Sequence, residues 1–342
     1  MTIGLTLGKF LPFHQGHELL LHTAARSCNR LIVLVGCSED DPYSFDQRRD
    51  WIWQSVDRID ETARVSIIKQ KELDKNAEKD KNGTITDQKY WDEWILDTMR
   101  LCNATNVTGI HRVFTSDLYG KRIAKELGAV WYPVDPKREI IPVSGTRVRN
   151  SLFSYFNYLP PYVKKDLAKV IAIVGPESVG KSTLTKDLAD RFGCGYLPEY
   201  GRTLCDHREK LSECDFWTIQ QMQSAMIDNA KNRCASPIVL TDTEGLTTAL
   251  YHEAYRPNDP HLPYFNYARE QDVDFYVCLY PNVPWIQDGQ RIQSNIERYK
   301  YFSEMTEYLR KWKKPHVVID SSEFHIRRAM AINAINTFLS GS

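Results

Sequence analysis

Long hydrophobic runs are missing from this sequence: none approaches the roughly 18 consecutive apolar residues of a membrane-spanning helix. The amino-terminal segment has neither a basic stretch nor a long apolar run, so we expect no signal peptide there. No CxxC pair occurs among the 8 cysteines, which argues against zinc and thioredoxin-type motifs and favours free thiols. These absences predict a cytoplasmic protein that does not insert into a membrane.

An excess of charge of either sign is also missing. The 342 residues include 44 basic and 44 acidic side chains, so the formal net charge is 44 − 44 = 0. The chain up to residue 168 has 24 basic and 22 acidic residues, and the remainder has 20 and 22. Neither part has the basic excess of a nucleic-acid-binding domain, so we expect no nucleic-acid partner. The length itself suggests about two domains.

Strand and helix patterns alternate twice along the chain, which predicts two α/β domains with parallel sheets. The first series has strands at Thr2–Leu7, Leu31–Val35, Val65–Lys69, Arg112–Thr115 and Ala129–Tyr132, and helices at Glu18–Ser27 and from Ser44 to about Ile59. The second series has strands at Lys169–Gly175, Ile238–Thr241, Phe275–Leu279 and His316–Ile319, and a helix at Lys181–Phe192. Consecutive prolines at Pro160–Pro161 suggest domains 1–160 and 161–342.

One highly charged segment, Lys71–Lys89, interrupts the first series. Its composition and its Asn-Gly pair are typical of a solvated surface loop. A flap beside the active site is the alternative, because the aromatic sequence around Trp91 and Trp94 follows at once. These two tryptophans are three positions apart on a predicted helix, a spacing equally typical of core packing.

The first predicted strand is followed by a histidine motif. Residues 8–17 fit the pattern GxFxPxHxGH at a junction between a strand and a helix. Backbone N–H groups and the positive end of the helix dipole favour phosphate at such a junction. His14 and His17 can donate hydrogen bonds to phosphoryl oxygens and stabilise the charge that develops in a transition state. The motif therefore predicts a phosphate site at the amino-terminal end of the helix.

A second anion-binding pattern comes late in the first series. Ser144, Thr146 and Arg149 belong to a segment of the form SxTxxR, in which hydroxyl groups precede arginines on a short helix. Residues 137–149 contain four basic side chains and one acidic one, a local charge of 4 − 1 = +3. The neutral total therefore conceals a predicted phosphate pocket.

The second series contains a P-loop. Residues 175–182 fit GxxxxGK[ST] between a predicted strand and a predicted helix. Gly175 and Gly180 let backbone amides curl around a phosphate, Lys181 neutralises its charge and the Ser182 hydroxyl coordinates Mg²⁺. Ser178 and Thr183 complete the expected nucleotide contacts.

A P-loop alone does not separate a kinase from a switch or a motor, but other residues favour a kinase. Asp242 ends an apolar strand, as a Walker B carboxylate does, and can bind Mg²⁺ or orient the acceptor hydroxyl. Glu199 and Arg202 occupy a segment where small-molecule kinases contact their substrate. Arg291, before a long predicted helix, suits a lid over the transferred phosphoryl group.

Together these motifs resemble the bifunctional nicotinamide-mononucleotide adenylyltransferase/ribosylnicotinamide kinase family of the NadR type. The resemblance rests on the HxGH and SxTxxR segments, on residues 116–120 and 134–138, and on the P-loop that follows them. It covers essentially the whole chain. It implies an HxGH nucleotidyltransferase domain of Rossmann-like fold at 1–160, followed by a P-loop kinase domain at 161–342.

For the first domain the resemblance implies in-line transfer of the adenylyl group of ATP to nicotinamide mononucleotide (NMN), which forms NAD and pyrophosphate. His14, His17 and Arg149 form the expected catalytic set. The expected ATP contacts are Gly8, Lys9, Phe10, Gly16, Ser144 and Thr146. Trp91, Trp94 and Asp117 are the candidates for the nicotinamide side.

For the second domain the resemblance implies phosphorylation of nicotinamide riboside to NMN by ATP with Mg²⁺. Lys181, Asp242 and Arg291 are the expected catalytic residues, and Ser182 and Asp242 the expected metal ligands. Trp285 would stack on the cationic nicotinamide ring. The expected substrate contacts are Glu199, Arg202, Trp285 and Asp288, and the choice between Asp242 and Glu199 as base stays open.

Two alternatives remain at this point. The same architecture could act on another phosphate acceptor and another nucleoside, or the P-loop domain could be a nucleotide sensor that binds ATP without turnover. Many family members begin with a helix-turn-helix repressor domain, but the first predicted strand here starts at Thr2, so we expect neither that domain nor its regulatory function. A homo-oligomer is compatible with the resemblance.

Overall fold

Each half of the chain builds its own five-stranded, fully parallel sheet. The computed structural model describes residues 1–71, 88–105, 109–205, 211–284 and 295–340, without the side chains of residues 88–91, 205 and 295. The chain divides into two compact units, Met1–Val163 and Lys164–Ser342. The predicted boundary after residue 160 lies three positions before this division. The predicted fold class, two α/β domains with parallel sheets, is confirmed.

The first unit alternates strands with helices as expected. Its strands are β1 (Ile3–Gly8), β2 (Arg30–Cys37), β3 (Val65–Lys71), β4 (Arg112–Thr115) and β5 (Val130–Pro133). Its helices are α1 (Gln15–Arg26), α2 (Phe45–Asp57), α3 (Gln88–Asn103), α4 (Tyr119–Glu126), α5 (Gly145–Asn150) and α6 (Leu152–Tyr155), and α7 (Pro161–Leu167) contains the division. All five strands predicted here are present, with ends that differ by up to two residues.

The strand order β3-β2-β1-β4-β5 places β1 at the centre of the first sheet. The chain moves outward from β1 to one edge and then crosses to β4 on the other side. In sheets of this kind ligands bind outside the carboxyl ends of the strands, where the order reverses. The ends of β1 and β4 therefore define the expected site, and the histidine motif directly follows β1.

Local signals explain where the helices of the first unit start. Ser44 caps α2 by accepting a hydrogen bond from the backbone N–H of Gln47 at 3.1 Å, as its position predicted. Helix α1 begins at Gln15, three residues before its predicted start. The prediction was wrong because the capping side chain is His14 rather than Ser, Thr, Asp or Asn, so the usual signal is missing.

The second unit repeats the alternation. Its strands are β6 (Lys169–Val174), β7 (Tyr196–Leu197), β8 (Ile238–Asp242), β9 (Phe275–Leu279) and β10 (His316–Ile319). Its helices are α8 (Lys181–Phe192), α9 (Tyr200–Cys205), α10 (Glu213–Arg233), α11 (Gly245–Tyr255), α12 (Leu262–Glu270), α13 (Asn295–Lys311) and α14 (Phe324–Ser340). The two-residue strand β7 is too short to leave a periodic signal.

The strand order β10-β9-β6-β8-β7 again places the first strand of the unit at the centre. Side chains of β6 alternate between two cores: Val170, Ala172 and Val174 pack into one, whereas Ile171 and Ile173 pack into the other. Helices cover both faces, so all of these residues are apolar and buried. The P-loop follows β6, where the strand order reverses.

Some sequence predictions concern residues beyond those described. Most of the charged segment, residues 72–87, lies outside the described residues, and its last two residues belong to α3. Trp285, Asp288 and Arg291 also lie outside them, as does the Trp91 side chain. Among the described residues, no helix combines the length and the apolar character needed to span a bilayer.

Candidate functional site

The loop after β1 delivers two histidines to the start of α1. The Nδ1 atom of His14 accepts a hydrogen bond from the backbone N–H of His17 at 3.3 Å. Because Nδ1 is the acceptor, the proton of a neutral His14 ring lies on Nε2. The cap therefore fixes the tautomer of His14 and leaves Nε2–H as its donor.

The two imidazole rings are stacked, with centroids 3.7 Å apart and planes 15° apart. Phe10 and Phe13 pack against the ring of His17 at centroid distances of 4.8 and 5.7 Å. A methyl group at Gly16 would lie 3.1 Å from the His14 ring, so this glycine makes room for the stack. The spacing of the motif thus encodes a packed aromatic cluster as well as a helix end.

This packing keeps both histidines neutral. Burial and, to a smaller extent, the positive charge of Arg138 together lower the pKa of His14 to about 3. The pKa of His17 is also well below its usual value, first because of burial and then because of His14 and Arg138. Among the described residues, His17 Nδ1 is buried without a hydrogen-bond partner. A bound anion would raise both pKa values.

The SxTxxR segment forms a second wall of the site. Ser144 caps α5 by accepting from the backbone N–H of Arg147 at 3.3 Å. The guanidinium of Arg149 donates to the carbonyl oxygen of Leu11 and, at 3.2 Å, to Thr146 Oγ1. A Cβ at Gly145 would lie 2.5 Å from the Leu11 oxygen, so only glycine permits this approach. Arg149 thereby ties the two phosphate motifs together.

A third element, the turn after β5, contributes Arg138. Its guanidinium donates to Asp117 Oδ1 at 3.0 Å. The turn has left-handed backbone at Asp135 (φ 47°) and at Arg138 (φ 54°). The Asp135 carboxylate stabilises it by accepting from the backbone N–H groups of residues 139, 140 and 141 at 2.8, 3.1 and 2.9 Å. The resemblance includes this segment, but Arg138 was not predicted as a site residue.

These walls enclose a cavity of about 450 Å³. The predicted residues of the first domain that line it are Gly8, Lys9, Phe10, His14, Gly16, His17, Trp94, Asp117, Ser144, Thr146 and Arg149. Of the four basic residues between 137 and 149, only Arg138 and Arg149 line it. Lys137 is exposed and lies 4.0 Å from Glu139, and Arg147 donates to the Pro142 carbonyl. The local charge therefore overstates the number of cations in the pocket.

Arg48, which was not predicted, does not line the cavity but binds the backbone of two residues that do. It is 1% exposed, and one of its nitrogens donates to the carbonyl oxygens of Lys9 and Gly36, both at 2.9 Å. The Asp41 carboxylate balances its charge at 3.1 Å. Arg48 therefore holds the loop after β1 against the end of β2. A polar residue inside an amphipathic helix gives no sequence signal of this role.

Gln70 and Lys71, at the end of β3, and Trp94 of α3 also line the cavity. Trp94 is 8% exposed and also belongs to the hydrophobic core. It therefore combines the packing role and the cavity position that the sequence left as alternatives. Gln70 and Lys71 were not predicted.

In the second unit, positive backbone φ values shape the P-loop: 150° at Gly175, 61° at Ser178 and 83° at Gly180. A Cβ at Gly175 would lie 2.8 Å from the carbonyl oxygen of Leu279 in β9. Glycine is therefore required there for both conformation and space. Helix α8 begins directly after this loop, so its first-turn N–H groups face the same region.

Lys181 is held inside the loop. Its ammonium group donates to the carbonyl oxygens of Gly175 and Pro176 at 2.9 and 3.0 Å, and the residue is 7% exposed. Its positive charge is thus positioned by the backbone that is predicted to receive phosphate.

Asp242 lies at the end of β8 and is 3% exposed. Burial raises the pKa of its carboxyl group, whereas the charge of Lys181 and a hydrogen bond from Ser182 act in the opposite direction. Its Oδ1 atom is buried without a hydrogen-bond partner among the described residues. A hydroxyl and a carboxylate oxygen are suitable ligands for Mg²⁺. The described residues contain no group of three or more His, Cys, Asp or Glu side chains that could hold a metal by themselves.

Glu199 and Arg202 form an ion pair beside Asp242. Arg202 Nε lies 2.9 Å from Glu199 Oε2, and the charges of both residues shift the pKa of Asp242. The structure thus brings Lys181, Ser182 and Asp242 together with this pair. Thr183 is exposed on the first turn of α8.

Comparison with known proteins agrees with this division. A family profile described as an AAA domain matches residues 170–327, from β6 into α14. The trifunctional NAD biosynthesis/regulator protein NadR of Escherichia coli (strain K12) is 25% identical over 99% of this chain and 83% of its own length. NadR of Salmonella typhimurium (strain LT2) is 24% identical over the same shares. The chain is homologous to these NadR proteins along essentially its whole length.

Solved structures show the same fold. A NadR crystal structure in complex with NR superposes with a TM-score of 0.68 at 19% identity, covering 98% of this chain and 96% of that one. A second NadR structure, in complex with NAD and AMP-PNP, has the same TM-score and coverage at 18% identity. The fold of the described chain, with an α/β unit before a P-loop unit, is therefore shared with these NadR structures.

Proposed function

We propose that this chain, a homologue of the NadR proteins, is a bifunctional enzyme of NAD salvage. The second unit phosphorylates nicotinamide riboside with ATP, which gives NMN and ADP. The first unit transfers the adenylyl group of a second ATP to NMN, which gives NAD and pyrophosphate. The observation that carries the proposal is the presence, in one chain, of the capped histidine pair with Arg149 and of a complete P-loop with a buried carboxylate.

In adenylyl transfer, a phosphate oxygen of NMN attacks the α-phosphorus of ATP. The bond from that phosphorus to the bridging oxygen breaks, and the electron pair leaves with pyrophosphate. No protein nucleophile is required, so the residues act by positioning and by charge stabilisation. Two reacting phosphates repel each other, and the site must therefore supply donors and positive charge.

The structure suggests how the first unit supplies them. His14 donates from Nε2–H, because its Nδ1 is occupied by the cap. His17 has an unused buried nitrogen and sits against His14. Arg138 and Arg149 carry permanent charge on two other walls of the cavity. Because the histidines are neutral at rest, the negative charge of the triphosphate favours their protonation as it binds.

In the kinase unit, the 5′-hydroxyl oxygen of the riboside attacks the γ-phosphorus of ATP, and ADP leaves. Lys181 stabilises the phosphate charge from its position in the loop. We assign the hydroxyl proton to Glu199, because Asp242 lies against Ser182 and is needed for the metal. Arg202, which holds one oxygen of Glu199, orients the carboxylate.

Ser182 and Asp242 would hold Mg²⁺, and the partnerless Oδ1 of Asp242 fits such a ligand. The ion supplies neutralisation of the β- and γ-phosphate charge when bound. We also propose a cytoplasmic location, because the seven cysteines with described side chains carry free thiols.

The test is a coupled assay. Purified protein with nicotinamide riboside, ATP and Mg²⁺ is expected to accumulate NAD, with NMN as the intermediate. Supplied NMN and ATP should give NAD and pyrophosphate in equal amounts. Protein that binds ATP but forms neither NMN nor NAD would contradict the proposal and favour a nucleotide sensor.

A further inference from the structure

Gln70 is the last buried residue of β3, and it lines the same cavity as the histidines. Its Nε2 donates to two residues of α3, Asp97 Oδ2 at 3.2 Å and Thr98 Oγ1 at 3.1 Å. Asp97 and Thr98 follow Trp94 by three and four positions, so all three share one face of the helix. Gln70 is therefore hydrogen-bonded to the face of α3 that carries Trp94, the predicted contact of the pyridine ring.

Asp97 determines which way the amide group of Gln70 points. An ionised carboxylate can only accept hydrogen bonds, so the amino group of Gln70 must face Asp97. The carbonyl oxygen Oε1 is the end of the amide that neither contact with α3 uses. Without a fixed partner an amide can exchange its donor and acceptor ends by rotation. Here that rotation would set an oxygen against the carboxylate.

We propose that Gln70 selects the carboxamide form of the pyridine nucleotide over its carboxylate form, with Asp97 as the residue that orients it. This proposal rests on the adenylyl transfer proposed for the first unit. Oε1 of Gln70 accepts a hydrogen bond from an N–H of the carboxamide. The acid form would place a carboxylate oxygen there instead, and because both oxygens are acceptors the hydrogen bond would be lost.

Lys71 lines the cavity next to Gln70 and would attract a carboxylate. Its side chain is exposed, however, so water and salt screen that attraction. Gln70 is 3% exposed, so water screens its interactions less, and its preference for the carboxamide over the carboxylate is stronger. The buried acceptor should therefore outweigh the exposed ammonium in the choice between the two ring forms.

The experiment compares kcat/KM for NMN and for its nicotinic acid counterpart, at fixed ATP. Wild-type protein is expected to favour the amide by about 100-fold or more, as sites built around a substrate N–H can. Gln70→Met, similar in size but without the acceptor, should reduce this ratio about tenfold. Thr98→Val is the matched control, because Asp97 still fixes the amide, and it should keep the wild-type ratio.

Asp97→Asn is the sharper variant because its side chain lies outside the cavity lining. Asparagine can donate, so Gln70 can rotate and present its amino group to the substrate. The ratio should fall about tenfold here too, chiefly through faster use of the acid form. A structural defect would instead lower the use of both nucleotides in proportion.

Riboside phosphorylation by the same proteins reports on the second unit and should be unchanged. Wild-type protein that forms no dinucleotide from either nucleotide would overturn the proposed adenylyl transfer and this inference with it. An active wild type that prefers the acid form would overturn the role of Gln70 alone. So would unchanged ratios in both Gln70→Met and Asp97→Asn.

Discussion

In the first unit the side chains at the start of α1 are two neutral histidines, whereas in the second unit the corresponding place is held by the ammonium of Lys181. Burial depresses the pKa of His14 and His17, so the charge at that position appears only when an anion is present. Lys181 is also buried, at 7% exposure against 5% for His14, but two loop carbonyls stabilise its charge. Both sites lie at the start of a helix, but α1 is capped by the His14 side chain and α8 follows Gly180 without a side-chain cap. The supply of charge differs as well.

This difference shows how each phosphate site is built. We call the histidine site of the first unit the first cradle and the P-loop site of the second unit the second cradle. The first depends on side-chain packing, with stacked rings, two aromatic neighbours and arginines from distant segments. The second depends on backbone conformation, with positive φ at Gly175, Ser178 and Gly180. The first should therefore be sensitive to changes in its supports, and the second to the loop and its lysine.

The largest effect should come from the second cradle. Lys181→Ala removes the charge held in the loop and is expected to lower riboside phosphorylation by about 10³-fold or more. Adenylyl transfer to supplied NMN should be unchanged, because that site lies in the other unit. NMN formation from riboside and NAD formation from NMN measure the two activities separately. Lys186→Ala, an exposed lysine of the same helix, is the control. Loss of both activities in folded Lys181→Ala would contradict independent sites.

The corresponding change in the first cradle is His17→Ala. Loss of one donor aimed at the developing charge should lower adenylyl transfer by about 10² to 10³-fold, while riboside phosphorylation stays normal. His22→Ala tests specificity, because His22 also lies on α1 but contacts the Ser55 carbonyl rather than the cavity. Equal losses in the two variants would show damage to the helix rather than a role in transfer.

A smaller effect is expected when a support of the first cradle is changed. Arg48→Lys keeps the charge, but an ammonium group lacks the planar guanidinium geometry that lets Arg48 bind the Lys9 and Gly36 carbonyls together. The displaced loop should lower kcat for adenylyl transfer by about 10 to 100-fold. Arg49→Lys is matched, because Arg49 is the next residue and its side chain is 44% exposed. A full rate in Arg48→Lys would show that the loop is fixed without this contact.

The effect that is smallest near neutral pH concerns acid stability. Between an unfolded pKa of about 6.5 and the folded pKa of about 3 for His14, only the unfolded chain binds that proton. The stability of the first unit should therefore fall as the pH falls through this window, by up to about 1.4 kcal/mol per pH unit from His14. Hydrogen exchange of α1 in urea, at several pH values, measures the slope. His14→Gln should flatten it, and a parallel slope would assign the dependence to other groups.

Both parallel sheets and most strand positions were predictable, because strands buried on both faces are continuous apolar runs such as residues 31–35 and 170–174. The capping role of Ser44 was also predictable from its spacing to Gln47. The start of α1 was not, since a histidine cap has no established signal. The two-residue strand β7 was too short to show a period.

The candidate site also contains residues that a local sequence pattern predicted and residues that none did. His14, His17, Ser144 and Arg149 were predicted because a motif fixes their spacing at strand and helix ends, and the structure places them around one cavity. Arg138 lies in a segment that the resemblance included, but only its turn conformation directs it toward the histidines. Arg48 and Gln70 have no motif, and their contacts join segments that lie 39 and 27 residues apart.

The sequence by itself determined where phosphate could be received, since glycine, histidine and lysine at fixed spacing impose a backbone path and supply the donors. Only the tertiary structure decided the state of those donors. Burial and neighbouring charges keep His14 and His17 neutral. Hydrogen bonds hold the ammonium of Lys181 in its loop and orient the Gln70 amide. Desolvation and hydrogen-bond direction are properties of the assembled environment, and a local sequence pattern does not contain them.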